Sequence, residues 1–434
     1  MELTVYQGIG VIITITAVVS FINKRFFRLH PTIGVMLAGL AVAVGVVVAG
    51  LFDPRIPDTA RNWMNGLQFN ELVLNCMLGF LLFSGSLHVD MNMLKQRGWP
   101  IGVFALAGVV GTAFIVAFAL HALSNVFGLG LNFLHCLLFG ALISPTDPIA
   151  VLAILKQVGA PKDLEIDVSG ESLFNDGVGV VMFLVVVHLL TGQNVSVPGV
   201  IGLFVLEAAG GVGLGMVYGF LGSRLIRLAG EARVGVLITL TIASGGFLLA
   251  NALHASGALA MVVAGVMVGN RENWLDSPSR LALDEFWEVI DEVGNAILFV
   301  LVGLEILVVR GEWLPERSSC LLAGALAIPV VLLARAGSLI VPLSLLRLKW
   351  KFHRNTLAIF TWGGLRGGLP FAMALCVPPA SEQIAKYHAS PDQILNRPMI
   401  LTMTYFVVAF SIIVQGLTIK PLIRQSVEKE SAQT

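Results

Sequence analysis

Two short stretches of the sequence place acidic and other polar side chains inside long apolar runs. One reads Ser-Pro-Thr-Asp-Pro at residues 144–148, and the other reads Glu-Ser-Leu-Phe-Asn-Asp-Gly at residues 171–177. Ionisable side chains are costly inside a membrane and are usually functional there. These two stretches are therefore the first candidates for a site that binds an ion.

The stretch at residues 171–177 is predicted to form one polar face of a helix. Ser172 precedes Asp176 by four residues, and Glu171 precedes Asn175 by the same spacing. Residues four apart stack on a helix, so these polar groups should lie on neighbouring stripes. This face is expected to be wet or to bind an ion.

Two prolines flank Asp147 and predict a break in its helix. A proline inside a helix lacks its own donor and frees the carbonyl group four residues earlier. Pro145 is therefore expected to free the carbonyl oxygen of Ala141. Pro148 is expected to free that of Ser144, beside the Asp147 carboxylate. Carbonyl oxygens and carboxylates are ligands of hard cations, so the predicted chemistry is cation binding.

The composition indicates a polytopic membrane protein. Of the 434 residues, 56% are hydrophobic and 12% are charged, against about a quarter charged in soluble domains. The net charge is zero, so no basic surface suggests a nucleic-acid partner. Thirteen apolar runs have roughly the length of one membrane crossing. They cover residues 4–22, 31–51, 69–87, 99–127, 131–158, 168–190, 197–221, 234–250, 256–268, 286–309, 318–345, 355–377 and 398–423.

The basic residues predict the orientation of these spans. When the loops are divided into alternate sets, nineteen of the 27 Lys and Arg residues fall in one set and six in the other. Basic loops stay in the cytoplasm, so the sequence predicts an outside N-terminus and a cytoplasmic C-terminus in the cell (inner) membrane. The acids Glu288, Asp291, Glu292 and Glu305 lie near the ends of the tenth span, where reaching towards water is the expected behaviour.

The remaining two basic residues, Arg335 and Arg366, lie inside predicted spans. Arginine keeps its proton and needs an acidic or carbonyl partner there, and Glu171 is the natural partner for Arg335. Arg366 lies in Trp-Gly-Gly-Leu-Arg-Gly-Gly-Leu-Pro, residues 362–370, which predicts a second interrupted helix. Arg366 could cap a half-helix end, pair with a carboxylate or face water at the cytoplasmic rim.

The two predicted breaks occupy matching places in the chain, in spans five and twelve. Paired broken spans are typical of transporters whose site lies at mid-membrane. If spans one to six and eight to thirteen are two halves, their odd offset of seven spans inverts one half. The predicted fold is an all-α polytopic membrane protein with two inverted repeats, in which broken helices 5 and 12 cross in the core.

Five motifs occur in order along the chain, and together they resemble the monovalent cation/proton antiporters, specifically the sodium/proton exchanger branch with Asn-Asp on its sixth helix. They are residues 144–148, 171–177, 333–336 (Leu-Ala-Arg-Ala), 362–367 and 410–418 (Phe-Ser-Ile-Ile-Val-Gln-Gly-Leu-Thr). The resemblance implies a site for the cation and proton made of Asp176, Asp147, Thr146 and Ser172. It implies supporting roles for Asn175, Glu171, Arg335 and Arg366.

The resemblance also implies a homodimer in lipid, with a mobile core that moves against a dimerisation domain. On this basis residues 4–87 and 197–309 are mainly scaffold, residues 99–190 and 318–423 are mainly core, and residues 424–434 form a short cytoplasmic tail. The chain departs from the family at residues 82–86, Leu-Phe-Ser-Gly-Ser, where relatives often carry an acid. Whether Ser84 or Glu71 takes its place is open.

The leading function is exchange of sodium, or alternatively lithium or potassium, for protons. The cation and the proton would compete for Asp176 and exchange one for one, without net charge movement, because the preceding Asn175 does not titrate. A gated monovalent cation channel is the alternative, since helix breaks can also build a filter. An enzyme is not expected, because no nucleophile and base or zinc motif is apparent, and no cofactor beyond the transported ions is predicted.

Overall fold

The structure, a computed structural model, describes residues 5–27, 31–53, 55–57, 59–60, 77–190, 197–270, 277–304, 306–307, 317–377 and 396–431. These residues form helices joined by turns, with one isolated β-bridge. Seven helices in this described part are long and apolar enough to cross a membrane. The all-α polytopic membrane fold is therefore confirmed, while the count of thirteen spans and the inverted repeats stay predictions.

The helices follow one another along the whole described chain. In the first half they are α1 (Val5–Ile22), α2 (Pro31–Ala49), α3 (Leu78–Leu87), α4 (Met91–Phe127), α5 (Phe133–Ile143), α6 (Ile149–Val158), α7 (Lys162–Leu190) and α8 (Val197–Ala229). In the second half they are α9 (Ala232–Thr241), α10 (Phe247–Ala252), α11 (Gly257–Gly269), α12 (Ser277–Leu304), α13 (Arg317–Leu346), α14 (Thr356–Trp362), α15 (Leu369–Leu375), α16 (Arg397–Phe410) and α17 (Gly416–Ser431).

Several helices begin before the apolar run that predicted them. Helix α7 begins at Lys162 instead of residue 168, and α12 begins at Ser277 instead of residue 286. Acidic residues such as Asp163 and Glu165 in the first turn of α7 favour a helix N-terminus, so this helix begins before its apolar part. Asp291 is consequently fourteen residues inside α12, and its predicted place near the end of a membrane span stays a prediction.

Both predicted interruptions are present. The first apolar run with prolines is divided into α5 and α6, with non-helical residues 144–148 between them. The glycine-rich run is divided into α14 and α15, with residues 363–368 between them. Residues 253–256, at the junction of the eighth and ninth apolar runs, separate α10 from α11, and His254 there has a positive φ of 56°.

The described helices pack into two groups. Helix α4 contacts α5, α7 and α13, and α13 contacts α16; separately, α8 contacts α11, α11 contacts α3, and α2 contacts α12. Close approach depends on small residues: a Cβ on Gly140 of α5 would lie 2.4 Å from the Ala113 carbonyl oxygen of α4. The predicted division into a mobile core and a dimerising scaffold is compatible with this packing and stays a prediction.

Candidate functional site

The two interrupted helices cross each other at their breaks. The backbone N–H of Asp147 donates to the carbonyl oxygen of Leu365 at 2.7 Å, which forms the isolated antiparallel bridge. Backbone groups that leave a helix must find other hydrogen-bond partners inside a membrane. Here the second break supplies the acceptor for the Asp147 N–H of the first. The crossing brings Asp147 and Arg366, predicted from separate halves of the chain, into one place.

Arg366 caps the end of the first half-helix. Its side chain is only 2% exposed, and Nη1 donates to the carbonyl oxygens of Ser144 at 2.5 Å and Pro145 at 2.8 Å. Ser144 is the C-cap of α5, so the guanidinium lies at the negative end of that helix dipole. Of the three alternatives left open for Arg366, this geometry shows the first, and Arg366 also interacts electrostatically with Glu171 and Asp176.

The carbonyl oxygens that the prolines release each accept a hydrogen bond, and their expected part in cation binding stays a prediction. The Ser144 oxygen is occupied by Arg366, and the Ala141 oxygen accepts the N–H of Ser144 at 3.4 Å. The crossing of the two breaks is the physical reason, because it places the Arg366 guanidinium of the second break on carbonyl oxygens of the first. The carboxylates are left as the anionic groups of the site.

Asn175 joins the first break to α7 through hydrogen bonds of its side chain. Its side-chain oxygen accepts the Thr146 N–H at 3.1 Å, and its Nδ2 donates to Thr146 Oγ1 at 2.7 Å and to Glu171 Oε1 at 2.8 Å. Ser172 Oγ donates to the Thr146 carbonyl oxygen. The predicted stacking of Glu171 with Asn175 is thus present, and the predicted ligands Thr146 and Ser172 are hydrogen-bonded to each other.

Arg335 forms the predicted ion pair with Glu171. Its Nη2 lies 2.9 Å from both carboxylate oxygens, and both side chains are almost fully buried. Arg335 Nε also donates to the Phe360 carbonyl oxygen of α14 at 3.4 Å. The pair therefore connects α7, which holds the first break, to the helix that leads into the second.

Asp147 and Asp176 carry the remaining acidic groups of the crossing, and both residues are half-buried. The Asp147 carboxylate lies against the second break, since a Cβ on Gly367 would be 2.7 Å from its Oδ2. Asp176 interacts electrostatically with Asp147, Glu171 and Arg366. Three acids and two arginines leave one formal negative charge, which a single monovalent cation or proton would balance.

The sequence interpretation missed two residues that support the second break. Ser411 Oγ accepts the backbone N–H of Arg366 at 2.8 Å, and Gln415 Nε2 donates to the Trp362 carbonyl oxygen at 3.0 Å. Both belong to the π-helical turn at residues 411–415, between α16 and α17. Their spacing of four residues in an apolar run was the available signal, because buried polar groups in membranes need partners.

Ser84, one of the two residues considered in place of a third-span acid, is buried and donates to the Trp287 carbonyl oxygen at 2.9 Å. Its hydroxyl therefore holds α3 against α12. Glu71 and Glu305 lie outside the described residues. Glu288 and Glu292 are exposed.

Comparison with known proteins gives the family. A model of the transmembrane sodium/hydrogen exchanger matches residues 11–425. The chain belongs to this family. The Na(+)/H(+) antiporter NhaP of Pseudomonas aeruginosa is 40% identical over 424 residues, which are 96% of both chains. The Na(+)/H(+) antiporter NhaG of Bacillus atrophaeus is 31% identical and covers 95% of this chain and 74% of its own.

A solved structure supports the exchanger fold. The sodium proton antiporter MjNhaP1 from Methanocaldococcus jannaschii matches 98% of both chains with a TM-score of 0.73, at 19% sequence identity. At that identity the match establishes the fold alone. The fold is therefore that of an exchanger, as the five sequence motifs indicated.

Proposed function

We propose that this exchanger moves sodium out of the cell in exchange for protons, with Asp176 as the carboxylate that binds either ion. The observation that carries the proposal is the half-buried Asp176 beside two crossed helix breaks. Its relatives of the same length are named Na(+)/H(+) antiporters. Asp147, Ser172 and the Thr146 backbone complete the proposed cation site.

The charges around Asp176 support exchange of one sodium ion for one proton. Glu171 is neutralised by Arg335, and Arg366 interacts electrostatically with both Asp176 and Glu171. Arg366 then balances one of the two aspartates, Asp147 and Asp176, which leaves a single net negative charge for the ion, and Asn175 beside Asp176 carries no charge. One carboxylate that binds either ion gives electroneutral exchange, which does not respond to membrane potential.

Transport requires the site to face the two sides of the membrane in turn. We propose that the group of α4, α5, α7, α13 and α16, with the two breaks, moves against a dimerised scaffold that contains α2, α3, α8, α11 and α12. The proposed orientation has the N-terminus outside and the C-terminus in the cytoplasm. Only the neutralised core, loaded with sodium or a proton, crosses readily, since an uncompensated charge is costly in the membrane.

Purified protein in liposomes with an internal pH dye tests the proposal. A pulse of sodium chloride should move protons in the wild type, and Asp176→Asn should abolish the signal because an amide neither releases a proton nor supplies charge. Asp53→Asn, which changes an exposed acid at the end of α2, is the matched control. Exchange by Asp176→Asn at the wild-type rate would contradict the proposal.

Two further measurements decide the ion and the coupling. Pulses of lithium and potassium chloride rank the cations, and a response to potassium above that to sodium would favour the potassium/proton alternative. Clamping the liposomes with valinomycin and a potassium gradient tests neutrality, because one-for-one exchange should keep its rate at every voltage. A large sodium flux without proton movement would instead indicate a channel.

A further inference from the structure

The loop between α13 and α14 concentrates basic and aromatic side chains at the end of a long apolar helix. Helix α13 is long and apolar enough to cross a membrane and ends at Leu346, so the loop begins at the membrane surface. Residues 347–354 read Arg-Leu-Lys-Trp-Lys-Phe-His-Arg, with four basic side chains and no acid. The exchange proposed above gives this loop no function.

Hydrogen bonds fix the shape of this loop. The backbone N–H groups of Lys349 and Trp350 both donate to the Leu346 carbonyl oxygen, at 3.0 and 2.9 Å. Arg347 Nη2 donates to the Arg354 carbonyl oxygen at 3.2 Å, which joins the two ends of the loop. The basic side chains are therefore carried by a closed turn that continues from the helix end.

Arg97 of α4 holds the inner side of the loop. Its guanidinium lies 5.2 Å from the centre of the Phe352 ring, and its Nη2 donates to the Lys351 carbonyl oxygen at 3.4 Å. The same guanidinium is bonded to Asp167 through Nε at 2.6 Å and to Asp163 through Nη1 at 3.3 Å. The four basic residues of the loop and Arg97, against these two carboxylates, leave a net charge of +3 with the histidine neutral.

The outer side of the loop continues an exposed apolar stripe of α13. Val341 and Leu345 are 62% and 63% exposed near the end of this helix, and Leu348 in the loop is 85% exposed. Spacings of four and three residues put these side chains on one face. A single exposed leucine is ordinary on a protein surface, but Leu348 extends the apolar face of a membrane-crossing helix. It therefore lies where the hydrocarbon meets the lipid headgroups.

Exposed cations flank Leu348 on both sides. Arg347 and Lys349 are both exposed, and Lys349 Nζ lies 5.5 Å from the centre of the Trp350 ring. Tryptophan is enriched at the level of the headgroups, and long basic side chains at helix ends reach that level. An apolar side chain between two cations matches the two parts of an anionic phospholipid, its acyl chains and its phosphate.

We propose that the 347–354 loop binds an anionic phospholipid of the leaflet that it faces, with Arg347 and Lys349 on the headgroup phosphate and Leu348 among the acyl chains. By the proposed orientation this is the cytoplasmic leaflet, whose anionic lipids attract basic clusters next to spanning helices. The loop joins α13, which carries Arg335, to α14, which leads into the second break. The bound lipid therefore contacts the group of helices proposed to move.

Native mass spectrometry of the purified protein in a neutral detergent, titrated with phosphatidylglycerol or phosphatidylcholine, measures this binding. The wild type should bind phosphatidylglycerol more tightly than the zwitterionic lipid, and equal binding of the two would overturn the proposal. Arg347→Gln combined with Lys349→Gln should raise the Kd for phosphatidylglycerol by about 25-fold, from about fivefold for each basic residue near an anionic surface. The Kd for phosphatidylcholine should not change. A phosphatidylglycerol Kd equal to that of the wild type would also count against the site.

Lys156→Gln combined with Lys162→Gln is the matched control. Both lysines are exposed, and the acids Asp163 and Glu165 belong to the same segment. The Kd of this variant for phosphatidylglycerol should stay within about twofold of the wild type, as expected for screened exposed charges. An equal rise in both double variants would indicate general electrostatic attraction and would contradict a site at 347–354.

Leu348→Ser and glycerol phosphate distinguish a lipid from a soluble phosphate ligand. Leu348→Ser keeps every charge and should weaken phosphatidylglycerol binding about tenfold, the lower end for burying a leucine side chain. Glycerol phosphate should not raise the melting temperature, whereas phosphatidylglycerol should. Equal stabilisation by the two, with no effect of Leu348→Ser, would overturn lipid binding in favour of a soluble ligand.

If the double variant of the loop does not fold, Leu348→Ser decides alone. None of these measurements requires exchange. A wild type that binds phosphatidylglycerol without exchanging sodium for protons would contradict the proposed function only, and one that exchanges these ions without preferring phosphatidylglycerol would contradict the lipid site only.

Discussion

The two helix breaks have opposite chemistry although they are built on the same plan. The first contains two prolines and the acid Asp147, whereas the second contains four glycines and the base Arg366. Proline removes donors and leaves acceptors, and glycine lets another backbone or side chain approach closely. The first break therefore offers carbonyl oxygens, and the second brings the donor that occupies them.

The two breaks are also held in place by different parts of the molecule. The first break is held by side chains of α7, chiefly Asn175, while the second is held by the π-helical turn after α16 through Ser411 and Gln415. Arg335 joins the two supports, since it contacts both Glu171 and the Phe360 carbonyl oxygen. The comparison indicates that the arginines stabilise the crossing, and that the acids of the first break and α7 remain for the ion.

Removing the shared support should have the largest effect. Arg335→Ala leaves the buried Glu171 carboxylate without its partner, and breaking a buried pair costs about 3–5 kcal/mol. We expect a large fall in melting temperature in detergent together with loss of exchange. Arg335→Ala combined with Glu171→Gln leaves no unpaired charge and should melt higher than the single variant; if it does not, the ion pair is not what stabilises the crossing.

Arg366→Ala should come next, because it affects one contact between the breaks. The carbonyl oxygens of Ser144 and Pro145 would lose their donor, at about 1–3 kcal/mol for each unsatisfied group, and Asp176 would lose a neighbouring positive charge. Thermal melting should show a loss of at least about 2 kcal/mol, the lower bound for two such groups.

Two further variants serve as comparisons for the melting of Arg366→Ala. Arg366→Lys keeps the charge without the planar fork and should recover part of the stability. Arg347→Ala removes an exposed arginine that also donates to a backbone carbonyl oxygen, that of Arg354 at 3.2 Å, and should be almost neutral. Equal melting of Arg366→Ala and Arg347→Ala would show that the second break does not depend on its arginine.

The sequence predicted each break but not how the breaks meet. Proline and glycine act on their own backbone, so residues 144–148 and 363–368 are recognisable from local composition alone. Glu171 and Arg335 could be paired because buried charges in membranes are few. The contact of Arg366 with Ser144 joins residues 222 positions apart, and no local pattern indicates which acceptor a distant donor will reach.

The same limit explains the helix that begins early and the two residues that the sequence interpretation missed. Helix α12 begins nine residues before the apolar run that predicted it, because an apolar run shows where hydrocarbon begins and not where the helix begins. Ser411 and Gln415 lie in a motif with no charge, and their function depends on the second break being nearby. Local composition thus predicted the elements, and tertiary packing decided the partners.

Gly367→Ala should place a methyl group of the second break against the Asp147 carboxylate of the first. The new Cβ would lie 2.7 Å from Asp147 Oδ2 and 3.3 Å from its Cγ, so the carboxylate must turn away. We expect the apparent sodium affinity to fall about tenfold, equivalent to about 1.4 kcal/mol, with little change in melting. Gly213→Ala, where nothing lies within 4 Å of the added Cβ, is the control, and equal affinities would separate Asp147 from cation binding.

Ser411→Ala should have the smallest effect, because it removes one neutral hydrogen bond from the second break. The Arg366 N–H would lose its acceptor in a buried place, which costs about 1 kcal/mol net and more if the group stays unsatisfied.

Ser223→Ala is the appropriate control for that change. Ser223 is equally buried, but its hydroxyl bonds only to the Gly219 carbonyl oxygen of its own helix, so its removal strands no N–H. Ser411→Ala should therefore melt lower than Ser223→Ala, and Ser411→Thr, which keeps a hydroxyl, should lie between Ser411→Ala and the wild type. Indistinguishable melting of the two alanine variants would mean that Arg366 is held by its side-chain contacts with the first break, and that the π-helical turn contributes nothing to the crossing.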